Sequence, residues 1–277
     1  MSATVDTCAL CPRLCRHKCP VAVATGLEST TPTAIMTQVV LARHNPKTPV
    51  ASAVDLCTRC GQCQDACGID QPVVSLLDQA RTDHQPKPDP WVAPEIMGSA
   101  DRVAVICGDF NWTDSLRSAL KTNLAELHTS DHLGEPHRIR TDTLSTTLQE
   151  IRTIFGDRTA ITSCHTCQLA LKAADIDTTL LADLLDEQHA LPRWRTCQCE
   201  HGPGVSVTVR CCGARAPLQD RHPDLALSMA CDVKRRLDGQ AVYIEDSRCS
   251  AHLRAAGANT TDPVNRLRTM EMSDANR

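Results

Sequence analysis

Eight cysteines crowd the N-terminal part of this chain in two runs: Cys8, Cys11, Cys15 and Cys19, then Cys57, Cys60, Cys63 and Cys67. The second run is C-x2-C-x2-C-x3-C, the spacing of bacterial ferredoxin loops. Three thiolates two residues apart wrap a short loop around one iron–sulfur cube, each reaching a different iron. The fourth points away and serves the other cube. Gly61 suits a loop whose backbone passes close to a cluster. The first run is C-x2-C-x3-C-x3-C followed by Pro20, one residue longer between its second and third cysteines; the second run has Gly68 where Pro is usual. The crossed rule then predicts Cys8, Cys11, Cys15 and Cys67 around one [4Fe–4S] cluster, and Cys57, Cys60, Cys63 and Cys19 around the other. Structural zinc sites usually close one tetrahedron with two distant C-x2-C pairs, a pattern these compact runs fit poorly.

The rest of the composition narrows the setting. There are 17 cysteines in 277 residues, with nothing at the N-terminus that resembles a signal peptide and no apolar run long enough for a membrane span. The expectation is a cytoplasmic chain, where thiols stay reduced and clustered cysteines bind metal rather than one another. Net charge is −4 with both signs mixed, so no strongly basic face points to nucleic acid as a partner. Lys234-Arg235-Arg236 reads as a solvated helix face. Aromatics are only 2% of residues, so a core must be built from Leu, Val, Ile and Ala.

The stretch Asp83-His84-Gln85-Pro86-Lys87-Pro88-Asp89-Pro90 can continue neither a helix nor a central strand. It places a linker over 83–100. Before it, Thr31-Pro32 caps a helix running to about Arg43, and Pro72 opens a second with Val73, Val74, Leu76, Leu77 and Ala80. After it, short apolar runs read as strands: Val103–Ile106, Ala160–Thr162, Val205–Val209 and Val242–Ile244. Helical spacing recurs over Ser115–Leu127, Ile176–Gln188 and Leu225–Leu237. The expected fold is α+β overall: a helical di-cluster ferredoxin-like domain over 1–82, then an α/β domain of two cysteine-rich repeats over 101–265 (about 101–190 and 191–265), and a polar tail over 266–277. The four strands run into, or to within a few residues of, Cys107, Cys164, Cys211 and Cys249. Ligands of open α/β sheets sit beyond the carboxyl ends of strands, so these cysteines are candidate ligands rather than four separate core residues. Cys231, inside a helix, reads as core.

With these features the chain resembles the iron–sulfur subunits related to heterodisulfide reductase and glycolate oxidase, whose C-terminal repeats carry a C…CCG…CxxC motif, the CCG domain. The match rests on Cys211-Cys212-Gly213 followed by Asp246-Ser247-Arg248-Cys249-Ser250-Ala251-His252, and on Cys107 with Cys164-His165-Thr166-Cys167. Asp131-His132-Leu133-Gly134 stands where the family has its double cysteine. The resemblance implies metal ligands at Cys107, Cys164 and Cys167, and at Cys211, Cys212 and Cys249 with His252, since His can replace Cys on iron. Cys197 or Cys199 is a candidate entry ligand. It also implies a third iron–sulfur cluster as an open alternative. The expected function is electron transfer within an oxidoreductase, to or from a flavoprotein dehydrogenase or disulfide-reductase-like subunit. The alternatives are a disulfide-reductase-like enzyme using a C-terminal cluster, and a redox sensor or zinc-stabilised binding module.

Overall fold

The computed structural model describes residues 4–11, 14–107, 113–120, 122–129, 132–134, 140–185, 193–194, 211–214 and 218–267. Short helices build the N-terminal part: α1 (Val5–Ala9), α2 (Pro20–Thr25), α3 (Pro32–Ala42), α4 (Val50–Asp55), α5 (Gln62–Asp65) and α6 (Val73–His84). Helix α3 starts where the sequence dictates. The Thr31 side chain accepts from the Ala34 N–H at 3.2 Å, and Pro32 fills the first helical position, where its missing N–H leaves nothing unpaired. Ile35, Met36 and Val39 of α3 pack on Val50, Ala53 and Val54 of α4 and on Val73, Leu77 and Ala80 of α6. Cys8 and Cys63 lie in the same core.

Helix α6 ends at His84, where the prolines begin. The segment that follows is folded onto the next domain: Trp91 and Ile96 pack on its core, and Met97 bridges antiparallel to Glu126. Arg140, buried, donates to the carbonyls of Arg81, Thr82, Gln85 and Pro86 at 3.1–3.3 Å. These are the last turn of α6 and the residues beyond it, where helix carbonyls lack internal partners. One guanidinium thus ties the two parts of the chain together.

Beyond the prolines lies a sheet of β1 (Arg102–Cys107), β2 (Ala125–Thr129), β3 (Thr159–Thr162) and β4 (Thr178–Leu180), all parallel, in the order β2-β1-β3-β4. Both faces are covered, as parallel sheets require. Val103, Val105 and Cys107 face α8 (Leu144–Phe155) and α9 (His165–Ala173), through Ile151, Phe155, Cys167 and Leu171. Ala104 and Ile106 face Leu116 of α7 (Thr113–Leu120), Leu181 of α10 (Leu181–Leu184), Val264 and Leu267. A second parallel sheet joins β5 (Arg193–Trp194), β6 (Val242–Ile244) and β7 (Thr260–Thr261). With it go α11 (Leu218–Arg221), α12 (Pro223–Leu237) and α13 (Ser247–Ala255).

The mixed α+β architecture with a parallel sheet is as expected, but three local readings differ. The helical spacing over Ser115–Leu127 breaks after Leu120: Ala125 and Leu127 belong to β2, where burial alternates with period two. Within the span Ile176–Gln188, Thr178–Leu180 form β4 and Leu181–Leu184 turn helical, because Thr178-Thr179 favours a strand and β3 supplies a parallel edge; 186–188 lie outside the described residues. Residues 263–267 are helical and Leu267 is buried against the first sheet, so packing extends two residues into the predicted tail. The predicted strand Val205–Val209 lies outside the described residues.

Candidate functional site

The two cysteine runs meet around two cavities. One is lined by Cys19, Cys57, Cys60 and Cys63 with Val21, Ile35, Leu56, Val74 and Leu77. The other is lined by Cys8, Cys11, Cys15 and Cys67 with Met36, Ile69 and Val73; Cys63 also reaches its wall. Each cavity therefore draws cysteines from both runs, in the grouping that crossed ligation requires. Cys63 and Pro32 line both, so the two spaces are neighbours.

Local structure aims these thiols. Cys19 is the N-cap residue of α2, and the amides of Ala22 and Val21 act on its sulfur. The Arg59 N–H donates to Cys57 Sγ, and the Gln71 N–H to Cys67 Sγ, both at 3.3 Å. The loop holding Cys57 and Cys60 is unusual in its backbone: Arg59 (φ 56°) and Gly61 (φ 74°) are both left-handed. Arg59 bears this conformation because its guanidinium is held bidentately by Asp78, at 2.8–3.1 Å. Asp78 also accepts from Arg81 at 2.7 Å, and Arg81 donates to the carbonyls of Val54 and Cys57 at 2.8 Å. A buried polar chain thus fixes the start of the second run to α4 and α6.

Burial sets the protonation of these thiols. It pushes Cys8 up to about 11 and Cys19 and Cys60 up to about 12, and raises Cys63 well above the usual thiol range. Without a metal these groups hold their protons at neutral pH, so metal binding must release them. None of the described cysteines is disulfide-bonded. Soft thiols in fours, an apolar wall that excludes water, and backbone N–H donors on the sulfurs form a donor set that fits iron–sulfur clusters.

The C-terminal candidates separate into two groups. Cys107 ends β1, Cys164 lies two residues past β3, and Cys167 sits in the first turn of α9. With buried His132, which the sequence places at the family's double-cysteine position without marking it as a ligand, their ligand atoms all lie within 4.8 Å of one another. The neighbouring Cys164 and Cys167 thiols, aided by the nearby Arg248 guanidinium, hold Cys107 below the usual thiol range, and the same neighbours with burial hold Cys167 well above it. Cys211, Cys212 and Cys249 do not form such a group. Cys211 packs with Cys60, Val21, Leu218, Ala226 and Met229 between the two parts of the chain. Cys212 and Cys249 lie in the core beneath α12 and β6. His252 Nε2 donates to the Ala226 carbonyl at 3.1 Å. Cys231 lies on α12, and Cys197 and Cys199 lie outside the described residues.

The glycine of Cys211-Cys212-Gly213 has its own reason. It adopts φ 86°, and a Cβ there would stand 3.0 Å from Ala226 Cα and O and 3.3 Å from Met229 Sδ. Gly213→Ala is expected to cost about 1–3 kcal/mol of stability through strain and displacement of α12, read as a lower thermal midpoint of the purified protein.

Among the described residues no helix is long and apolar enough to cross a membrane. No curated protein and no solved structure matches the chain. A family model described as a 4Fe-4S dicluster domain matches residues 4–70, the segment that contains both cysteine runs. Over those residues the chain is similar to 4Fe-4S dicluster domains, which supports an iron–sulfur protein with an electron-transfer role.

Proposed function

We propose that this chain is the electron-transfer subunit of an oxidoreductase complex. In this reading Cys8, Cys11, Cys15 and Cys67 hold one [4Fe–4S] cluster, and Cys19, Cys57, Cys60 and Cys63 hold a second. The observation that carries it is the pair of adjoining cavities, each bordered by cysteines contributed by both runs, with Cys63 reaching both. Bound clusters of this type take up and release single electrons at potentials set by their surroundings. The chain's own residues supply those surroundings. Thiolates hold the irons; amides such as Arg59 N–H and Gln71 N–H donate to cysteine sulfurs; Ile35, Leu56, Val74 and Leu77 keep water from one cavity.

The partner is a flavoprotein dehydrogenase or a disulfide-reductase-like subunit. The resemblance of the cysteine-rich α/β repeats to heterodisulfide reductase and glycolate oxidase subunits supports that choice. Leu10, 86% exposed beside Cys11, offers an apolar contact near the cavity lined by Cys8, Cys11, Cys15 and Cys67. The test is anaerobic purification with iron and acid-labile sulfide analysis, then electron paramagnetic resonance of the reduced protein. About eight irons and eight sulfides per chain, with the broadened signal of two coupled reduced clusters, are expected. Colourless protein with little sulfide would overturn the reading.

A further inference from the structure

We propose that Cys107, His132, Cys164 and Cys167 form a mononuclear zinc site at the carboxyl edge of the four-stranded sheet. This site is independent of the electron-transfer reading, since it shares no ligand with the N-terminal cavities. It also differs from a third iron–sulfur cluster, and geometry is the reason. A cube places each cysteine on a different iron, so its ligand sulfurs stand farther apart than donors on one ion. Four donors on a tetrahedral zinc, with Zn–S about 2.3 Å and Zn–N about 2.0 Å, lie about 3.5–3.8 Å from one another. Here His132 Nδ1 is 3.1 Å from both Cys107 Sγ and Cys164 Sγ, and all four donors lie within 4.8 Å of one another. Closing on one ion requires shifts of an ångström or less.

The fold converges on this point. In the order β2-β1-β3-β4 the chain leaves β1 to one side and returns to place β3 on the other, so the carboxyl ends of β1 and β3 border a topological switch point. Cys107 comes from the first of these strands and Cys164 from just beyond the second. Cys164-x-x-Cys167 has the spacing of a zinc knuckle, and Cys167 is held on α9. The fourth donor comes at a conformational cost: His132, Leu133 and Gly134 are consecutive left-handed residues, φ 52°, 53° and 74°. Leu133 is fully buried in the neighbouring core, which fixes the turn while His132 reaches the sulfurs. Strain of this sort is kept where surrounding structure imposes it, and it clusters at functional sites.

Charge and outer contacts are consistent with an occupied centre. Zinc with three thiolates and a neutral imidazole carries a net charge of −1. The Arg248 guanidinium lies close enough for its charge to act on both Cys107 and Cys164. Asp246 accepts from the backbone N–H of His165 at 2.8 Å and of Cys249 at 2.9 Å, pinning the start of α9 to α13. The second sheet therefore braces the ligand-bearing turn of the first, as outer partners of metal ligands do. With no position open to solvent on the ligand count, the role is structural: the ion closes the switch point of the four-stranded sheet.

The experiment uses the full chain purified without oxygen, with and without zinc sulfate, then desalted. Elemental analysis should give about one zinc per chain beside the N-terminal iron, and zinc K-edge absorption about three sulfurs near 2.3 Å and one nitrogen near 2.0 Å. Cys164→Ser and His132→Ala should each reduce zinc to near zero while leaving iron unchanged. His132→Cys should retain the ion with four sulfurs around it, so that a folding failure in the other variants does not decide the matter. Absence of zinc after loading would overturn the proposal, as would zinc that survives in both Cys164→Ser and His132→Ala. So would loss of iron, rather than zinc, from Cys164→Ser.

Discussion

Cys60→Ser is expected to lower the iron content from about eight to about four per chain and to remove one of two reduced-cluster signals. Cys60 is 6% exposed and lines the cavity with Cys19, Cys57 and Cys63. Serine keeps the size but loses the soft sulfur, and its hydroxyl resists deprotonation far more than a thiol does. The other cavity keeps Cys8, Cys11, Cys15 and Cys67 intact. Cys249→Ser is the matched control, because Cys249 lies in the core beneath α12 and β6 and lines neither cavity. Iron analysis of the anaerobic protein decides it: unchanged iron in Cys60→Ser would refute the assignment of ligands.

Arg81→Met is expected to destabilise the N-terminal helices by about 3 kcal/mol. Arg81 is fully buried and donates to Asp78 and to the carbonyls of Val54 and Cys57. Methionine fills the stem's volume but leaves two buried carbonyls and half of Asp78 without their donor. Asp78 retains Arg59, and Arg81 Nε has no partner of its own among the described residues, which holds the cost at the lower end of the range for breaking a buried pair. A fall of about 6–12 °C in the melting midpoint followed by circular dichroism is the readout. Arg81→Lys should fall between, since it keeps the charge but not the fork that reaches two carbonyls. A midpoint within 1 °C of wild type, on the order of the scan error, would show that this polar chain does not hold the second cysteine run.

Much of this arrangement is written in local chemistry, and the exceptions are instructive. Thr31-Pro32 and Pro72 announce α3 and α6, and the apolar runs at Val103, Ala160 and Val242 are β1, β3 and β6. Spacing alone also grouped the eight N-terminal cysteines as the cavities do. Leu124 and Leu127 misled because leucine three or four residues apart fits a helix, whereas only the register against β1 reveals that Leu127 alternates with exposed neighbours. His132 was passed over for a related reason. Cys107 and Cys164-x-x-Cys167 leave one tetrahedral position to fill, and a nearby histidine was a legible signal. Its approach depends on three left-handed residues and on sheet order, neither of which periodicity encodes.

Cys60 shares its packing with Cys211, Leu218, Ala226 and Met229, residues from far along the chain. The dry wall behind one cavity is therefore a joint product of both halves. Cutting at the prolines would not release a miniature ferredoxin: it would open that wall to water, and solvent access is one of the levers on cluster potential. The C-terminal half thus acts as an insulating jacket behind Cys60.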